Sequence, residues 1–170
     1  NVIEEYKKHA DNQSEEWFNG VLLSVKNIAV DASLEIKQAL KILELYDTAY
    51  QKYSANYLYF DRKTEELIAL ADENKWDDVF KSIRDLDPPP LINLKKDEKT
   101  QEVAASVKLR NNTKDYLNKI KDAVYADKQT IAQQIKYIYP FIQKIVEIVN
   151  KFEDELYRLL RENDLITFYI

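Results

Sequence analysis

Cysteine and methionine are absent from the 170 residues, histidine and glycine occur once each, and proline only four times. Without cysteine there is no disulfide framework, no thiolate nucleophile and no thiolate metal site. With His9 as the sole histidine, the paired Glu-x-x-His metal sites of helical bundles cannot be assembled. Gly20 stands alone, so no glycine-rich loop can cradle a phosphate. No apolar run reaches the roughly 18 residues a membrane span requires. The first residues, Asn1-Val2-Ile3-Glu4, carry neither a start methionine nor a signal-peptide pattern, as expected of a processed or excised chain. No set of catalytic groups converges, and the expectation is a protein without catalysis, cofactor or bound metal.

What is present is helix. Charged residues make up 32% of the chain and turn residues are scarce, which describes an all-α protein. Alternate steps of three and four from Leu22 land on Val25, Ala29, Ala32, Ile36, Ala39, Leu43, Tyr46, Tyr50, Tyr53, Tyr57, Phe60, Thr64, Leu67 and Ala71. This is a heptad seam. As one helix it would be about 75 Å long, stable only if something covers the seam.

The spacing predicts a single helical rod domain over 1–170, with a short N-terminal segment at 1–11 and a long helix at 13–71. A short helix at 74–86, a Pro-rich connection at 87–96 and a second long helix at 97–166, kinked near Pro140, complete it. Asn12 with Glu15 reads as the N-cap and capping box of the first long helix. Gly20 marks a local bend or a close backbone approach. Asp87-Pro88-Pro89-Pro90 ends the short helix and favours polyproline II, as a stiff loop rather than a docking motif.

Folding the long helices back on each other pairs residue i with about residue 171 − i and sets large side chains against small ones. The expected architecture is an elongated antiparallel helical hairpin or a three-helix coiled-coil bundle. In it the tyrosine ladder is core, and the eight acids of residues 65–87 lie beside the eight bases of residues 95–121. Asp77-Asp78 reads as a solvated face, and His9 as exposed.

From Ile131 onward the apolar face is wider than one partner helix covers. Ile135, Ile142, Val149 and Leu156 form a second row beside Ile131, Ile138, Ile145, Phe152 and Leu159. That row, with Trp17 and Phe18 near the N-terminus, is the candidate contact surface. The apolar carboxyl end, Leu165–Ile170, is expected to pack on the Trp17-Phe18 end. The functional expectation is a protein-binding scaffold, tether or adhesin-like stalk, whose partner is another protein or a second copy in a dimer. One alternative is a peripheral membrane-shaping module of the BAR type, although a net charge of -5 gives it no dense basic face. Another is an extracytoplasmic surface domain that binds a host or partner protein. Nucleic acid is disfavoured because acids interleave the basic stretch.

Overall fold

The structure, a computed structural model, describes the backbone over residues 2–162 and the side chains over residues 15–162. Its elements are α1 (Val2–Leu43), α2 (Asp47–Asp72), α3 (Trp76–Arg84), a 3-10 turn at Lys96–Glu98, α4 (Gln101–Ala123) and α5 (Lys128–Glu162). The protein is all-α, with no strand among the described residues. Two compact units divide it, one over Glu15–Thr130 and one drawn from the chain on either side of that segment.

Two expected long helices are each broken. The first turns at Glu44–Tyr46, where neither glycine nor proline stands. The turn keeps its backbone groups partnered, by Leu45 N to Ile42 O at 3.2 Å and Tyr46 N to Leu43 O at 2.9 Å. It lets α2 run back along α1, as the ion pairs Lys37–Glu65 (2.9 Å) and Lys26–Asp72 (2.6 Å) show. The register of 171 − i is thus corrected for this unit: the first half of the seam folds on its own second half. Each fully buried large apolar side chain contributes about 1.5–3 kcal/mol, and a strained or lost helical hydrogen bond costs about 1 kcal/mol. Burying the seam against itself therefore outweighs keeping one straight helix.

The second break lies at Val124–Asp127, where Asp127 caps α5. Its Oδ1 accepts from Thr130 N at 2.9 Å and its Oδ2 from the Thr130 hydroxyl at 2.8 Å. Those bonds hold the Asp127 carboxyl below the usual carboxylate range. Asp-x-x-Thr is a legible helix-start signal, here hidden inside an apolar pattern that continues in phase. At the other end of the chain, α1 is helical from Val2, so the helix does not start at Asn12 as expected. α1 also runs unbroken through Gly20, and an added Cβ there would meet nothing within 4 Å, which corrects the expected bend or close approach. α5 continues through Pro140.

In the Glu15–Thr130 unit the seam closes. Leu22, Val25, Ala29, Ala32, Ile36, Ala39 and Leu43 of α1 are at most 2% exposed. Facing them on α2 are Tyr53, Tyr57, Phe60, Thr64, Leu67 and Ala71, all buried. Tyr46 and Tyr50 of the ladder are only half-buried. α4 adds Val103, Ser106, Thr113, Leu117 and Ile120. Thr113 Oγ1 lies 3.3 Å from Ala32 O and 3.2 Å from Leu109 O, so its one proton serves two carbonyls. A side chain reaches the backbone of a neighbouring helix this way only where the residue there is as small as Ala32. Thr100 caps α4, accepting from Val103 N at 3.2 Å.

Between α2 and α3 the chain turns through Asn74 at φ 55°, a left-handed position asparagine tolerates. Lys75 N reaches Leu70 O at 2.9 Å and Asn74 N reaches Ala71 O at 3.1 Å, closing α2 in a Schellman motif. The triple-proline loop is fastened along α2. Asn56 Nδ2 donates to Pro89 O, Asp87 N donates to the Tyr59 hydroxyl at 2.9 Å, and that hydroxyl donates to Asp85 O at 3.3 Å.

The charged patches do not cover each other. Among the described residues no ion pair joins an acid of 65–87 to a base of 95–121; Glu65 and Asp72 pair with α1 instead. Asp77 is engaged by the Lys128 amide at 2.8 Å rather than left to solvent alone. His9 lies among side chains outside the described residues, as does the carboxyl end from Leu165.

Candidate interaction surface

The six candidate surface residues fall into two groups. Trp17 and Phe18 stand on α1 within the Glu15–Thr130 unit, where α3 brings Trp76 against them. The Phe18 ring lies 4.7 Å from the Trp76 ring and 5.3 Å from that of Trp17 in edge-on contacts, and Trp17 sits 5.6 Å from Trp76. Phe18 is 1% exposed, so it belongs to the core and not to a surface. Its position three and four residues before Val21 and Leu22 continues the buried row, a signal the sequence did carry. Trp17 keeps 40% of its area exposed as a shoulder of the cluster.

Several polar contacts secure that cluster. Trp76 Nε1 donates to Ala126 O at 2.9 Å, as a buried indole requires. The Lys128 ammonium lies 5.2 Å from the centre of the Phe18 ring and pairs with Glu15 at 2.9 Å. Arg84 donates to Tyr125 O. The Trp76–Arg84 helix thus ties down the chain where α4 ends.

A second polar cluster sits beneath the proline loop. Buried Asn56 accepts from Arg110 Nε at 2.8 Å while donating to Pro89 O. The Arg110 guanidinium stacks 4.7 Å from the centre of the Phe60 ring, and burial pushes its pKa down. Tyr57, fully buried, shares a 3.1 Å hydrogen bond with Ser106, and burial pushes its phenol up. Every member has a partner, so the arrangement specifies packing.

The other candidates lie on α5. Ile135 is half-buried, whereas Ile142, Val149 and Leu156 are 51%, 47% and 43% exposed. The neighbouring row is as open: Ile138, Ile145, Phe152 and Leu159 expose 44–66%. Phe141, Val146 and Ile148 flank the seam at 52–59%. The charges lie to the side and pair along the helix, Lys144 with Glu147 at 2.8 Å and Arg158 with Glu155 and Glu162. Half-exposed side chains of this size leave on the order of 100 Å² each. The stripe thus approaches about 1,000 Å², above the few hundred Å² normally left open on a single chain.

Among the described residues no group of three or more potential metal ligands gathers, and no helix is long and apolar enough to cross a membrane. The outer face of α4 alternates Lys108, Asp115, Lys119 and Asp122, a mixed surface and not a basic stripe. Lys119 rests over the Tyr116 ring at 5.0 Å.

No protein-family model and no solved structure matches the chain. It is similar to one of the subunits of the ATP-dependent helicase/nuclease of Clostridioides difficile (strain 630), at 27% identity over 165 residues and 89% of this chain. It is also similar to the corresponding protein of Clostridium beijerinckii (strain ATCC 51743 / NCIMB 8052), at 23% identity over 152 residues and 85% of this chain. In each case the chain spans 12% of the relative's length.

Proposed function

We propose that this chain is a non-catalytic helical module of an ATP-dependent helicase/nuclease type of protein, and that it acts by binding protein through the open face of α5. The observation that carries the reading is the span of the similarity, which takes in nearly the whole chain but a small part of each relative. The motor chemistry such a protein needs has no residues to rest on here. A single glycine cannot form a phosphate-binding loop, and the buried polar clusters are fully engaged with one another. What the chain offers is a packed helical unit and a long apolar stripe.

The test compares the chain alone with the natural polypeptide that carries it. The isolated chain should neither hydrolyse ATP nor cleave DNA, and the natural polypeptide should hydrolyse ATP in a DNA-dependent way. ATP hydrolysis by the chain alone, or a carrier protein with no DNA-dependent ATP hydrolysis, would refute the reading.

A further inference from the structure

We infer that the open face of α5 binds a second copy of this chain, with the two α5 helices antiparallel and crossing near Glu147. The inference rests on the reading of α5 as a protein-binding face and names its partner. Three observations select that occupant.

The first is the seam itself. From Ile138 to Leu159 the apolar positions step by four and three without a break, the pattern one helix presents to another. Pro140 lies on the side away from this row, so it leaves the seam continuous. At about 1,000 Å² the stripe matches the roughly 800 Å² each partner gives to a stable interface.

The second is self-complementarity, which a two-fold contact demands. With a dyad at residue 147, Ile145 meets the partner's Val149, Ile142 meets the partner's Phe152, and Ile138 meets the partner's Leu156. Each layer sets an isoleucine against a different apolar side chain. The apolar flanks Val146 and Ile148 fall at the dyad and meet their own copies. A parallel pairing would instead stack each residue on its own copy, so that Phe152 meets Phe152 one layer from Val149 on Val149 and the layer volumes become uneven.

The third is charge. Residues 131–146 carry Lys136 and Lys144 and no acid, whereas residues 148–162 carry four acids against three bases. Antiparallel pairing lays the basic half of one helix along the acidic half of the other, and a parallel pair would superpose like halves.

The absence of cysteine makes the test direct, since single cysteines can be introduced without background. Sedimentation of the 170-residue chain should give twice the chain mass at micromolar concentration. Under mild oxidation, Val146→Cys should crosslink to itself. Ile138→Cys should crosslink with Leu156→Cys in a mixture but not with itself. The double variant Ile142→Glu/Val149→Glu should keep its helical circular dichroism and weaken association by about 100-fold or more. A wild-type chain that stays single, a dimer in which Ile138→Cys crosslinks to itself, or a folded double variant with unchanged association would each overturn the inference. The protein-binding reading fails separately: a natural polypeptide that holds one copy of this chain but still needs Ile142 and Val149 to assemble with another protein sinks only the second copy.

Discussion

Two helices carry the same three-and-four spacing and meet opposite fates. On α2, Tyr53, Tyr57, Phe60 and Leu67 are at most 8% exposed; on α5, Ile142, Ile145, Val149 and Phe152 expose 47–66%. Periodicity alone does not distinguish them. The difference is that the buried face of α2 carries polar groups, Asn56 and the Tyr57 hydroxyl, each partnered by a side chain of α4. A buried polar group is stable only beside the one neighbour that satisfies it, so it fixes which surfaces meet. The α5 seam is purely apolar, so no buried polar group fixes what lies against it.

The comparison breaks most sharply by truncation. Tyr57→Ala should destabilise the Glu15–Thr130 unit by about 4 kcal/mol, because a fully buried ring leaves a cavity. Phe152→Ala, at 66% exposure, should change stability by no more than about 0.5 kcal/mol when single chains are unfolded in denaturant at low concentration. Equal losses at the two sites would mean that α5 is as well covered as α2.

A second experiment sharpens the role of the polar groups. Asn56→Ala should cost about 2 kcal/mol, since it takes the partner from Arg110 Nε and from the Pro89 carbonyl at once. It should also free the proline loop, read as faster proteolysis at residues 87–94. A loss confined to stability, with the loop still protected, would show that Tyr59 alone holds the loop.

Much of this was legible in the residues, and the largest misses share one cause. The seam named every buried apolar position of α1 from Leu22 to Leu43 except Leu40, and most of those on α2. It could not show that Glu44–Tyr46 is a turn, because the row passes through it in phase and no breaker stands there. Helix propensity and periodicity are local, and the energy that bends the chain comes from burying one half of the seam against the other. For the same reason the register of 171 − i and the mutual cover of the acidic and basic patches were wrong for the Glu15–Thr130 unit. The Asp127 cap was readable, and the continuing isoleucine row masked it. Phe18 too was readable as a continuation of the buried row ahead of Leu22, although Trp76, its cover, comes from a helix whose docking nothing local announces.

Smaller effects separate stability of the unit from association through α5. Gly20→Ala adds a methyl where nothing stands within 4 Å and removes the entropy penalty of glycine in a helix. It should stabilise the protein by about 0.5–1 kcal/mol. Association through α5, followed by sedimentation, should not move. A destabilised variant would place an unseen partner against that side of α1.

The smallest expected effect concerns Asp61 on α2. Its Oδ1 is buried without a hydrogen-bond partner, and burial pushes its pKa up, with the nearby Glu65 charge adding to the shift and Lys37 opposing it. A raised folded-state pKa means the folded chain holds this proton more tightly than the unfolded chain does. The stability this contributes is complete below the ordinary carboxylate pKa and is lost as pH rises through the raised value. Asp61→Asn removes that dependence. Much of the side chain still reaches water, which screens the charge, so the gain in Tm at neutral pH should be on the order of 1 °C. Wild type and variant should converge near pH 3, where Asp61 is neutral in both states. A Tm difference that stayed constant from acid to neutral pH would mean that the charge is not the cause, and that the amide has found a partner the carboxylate lacks.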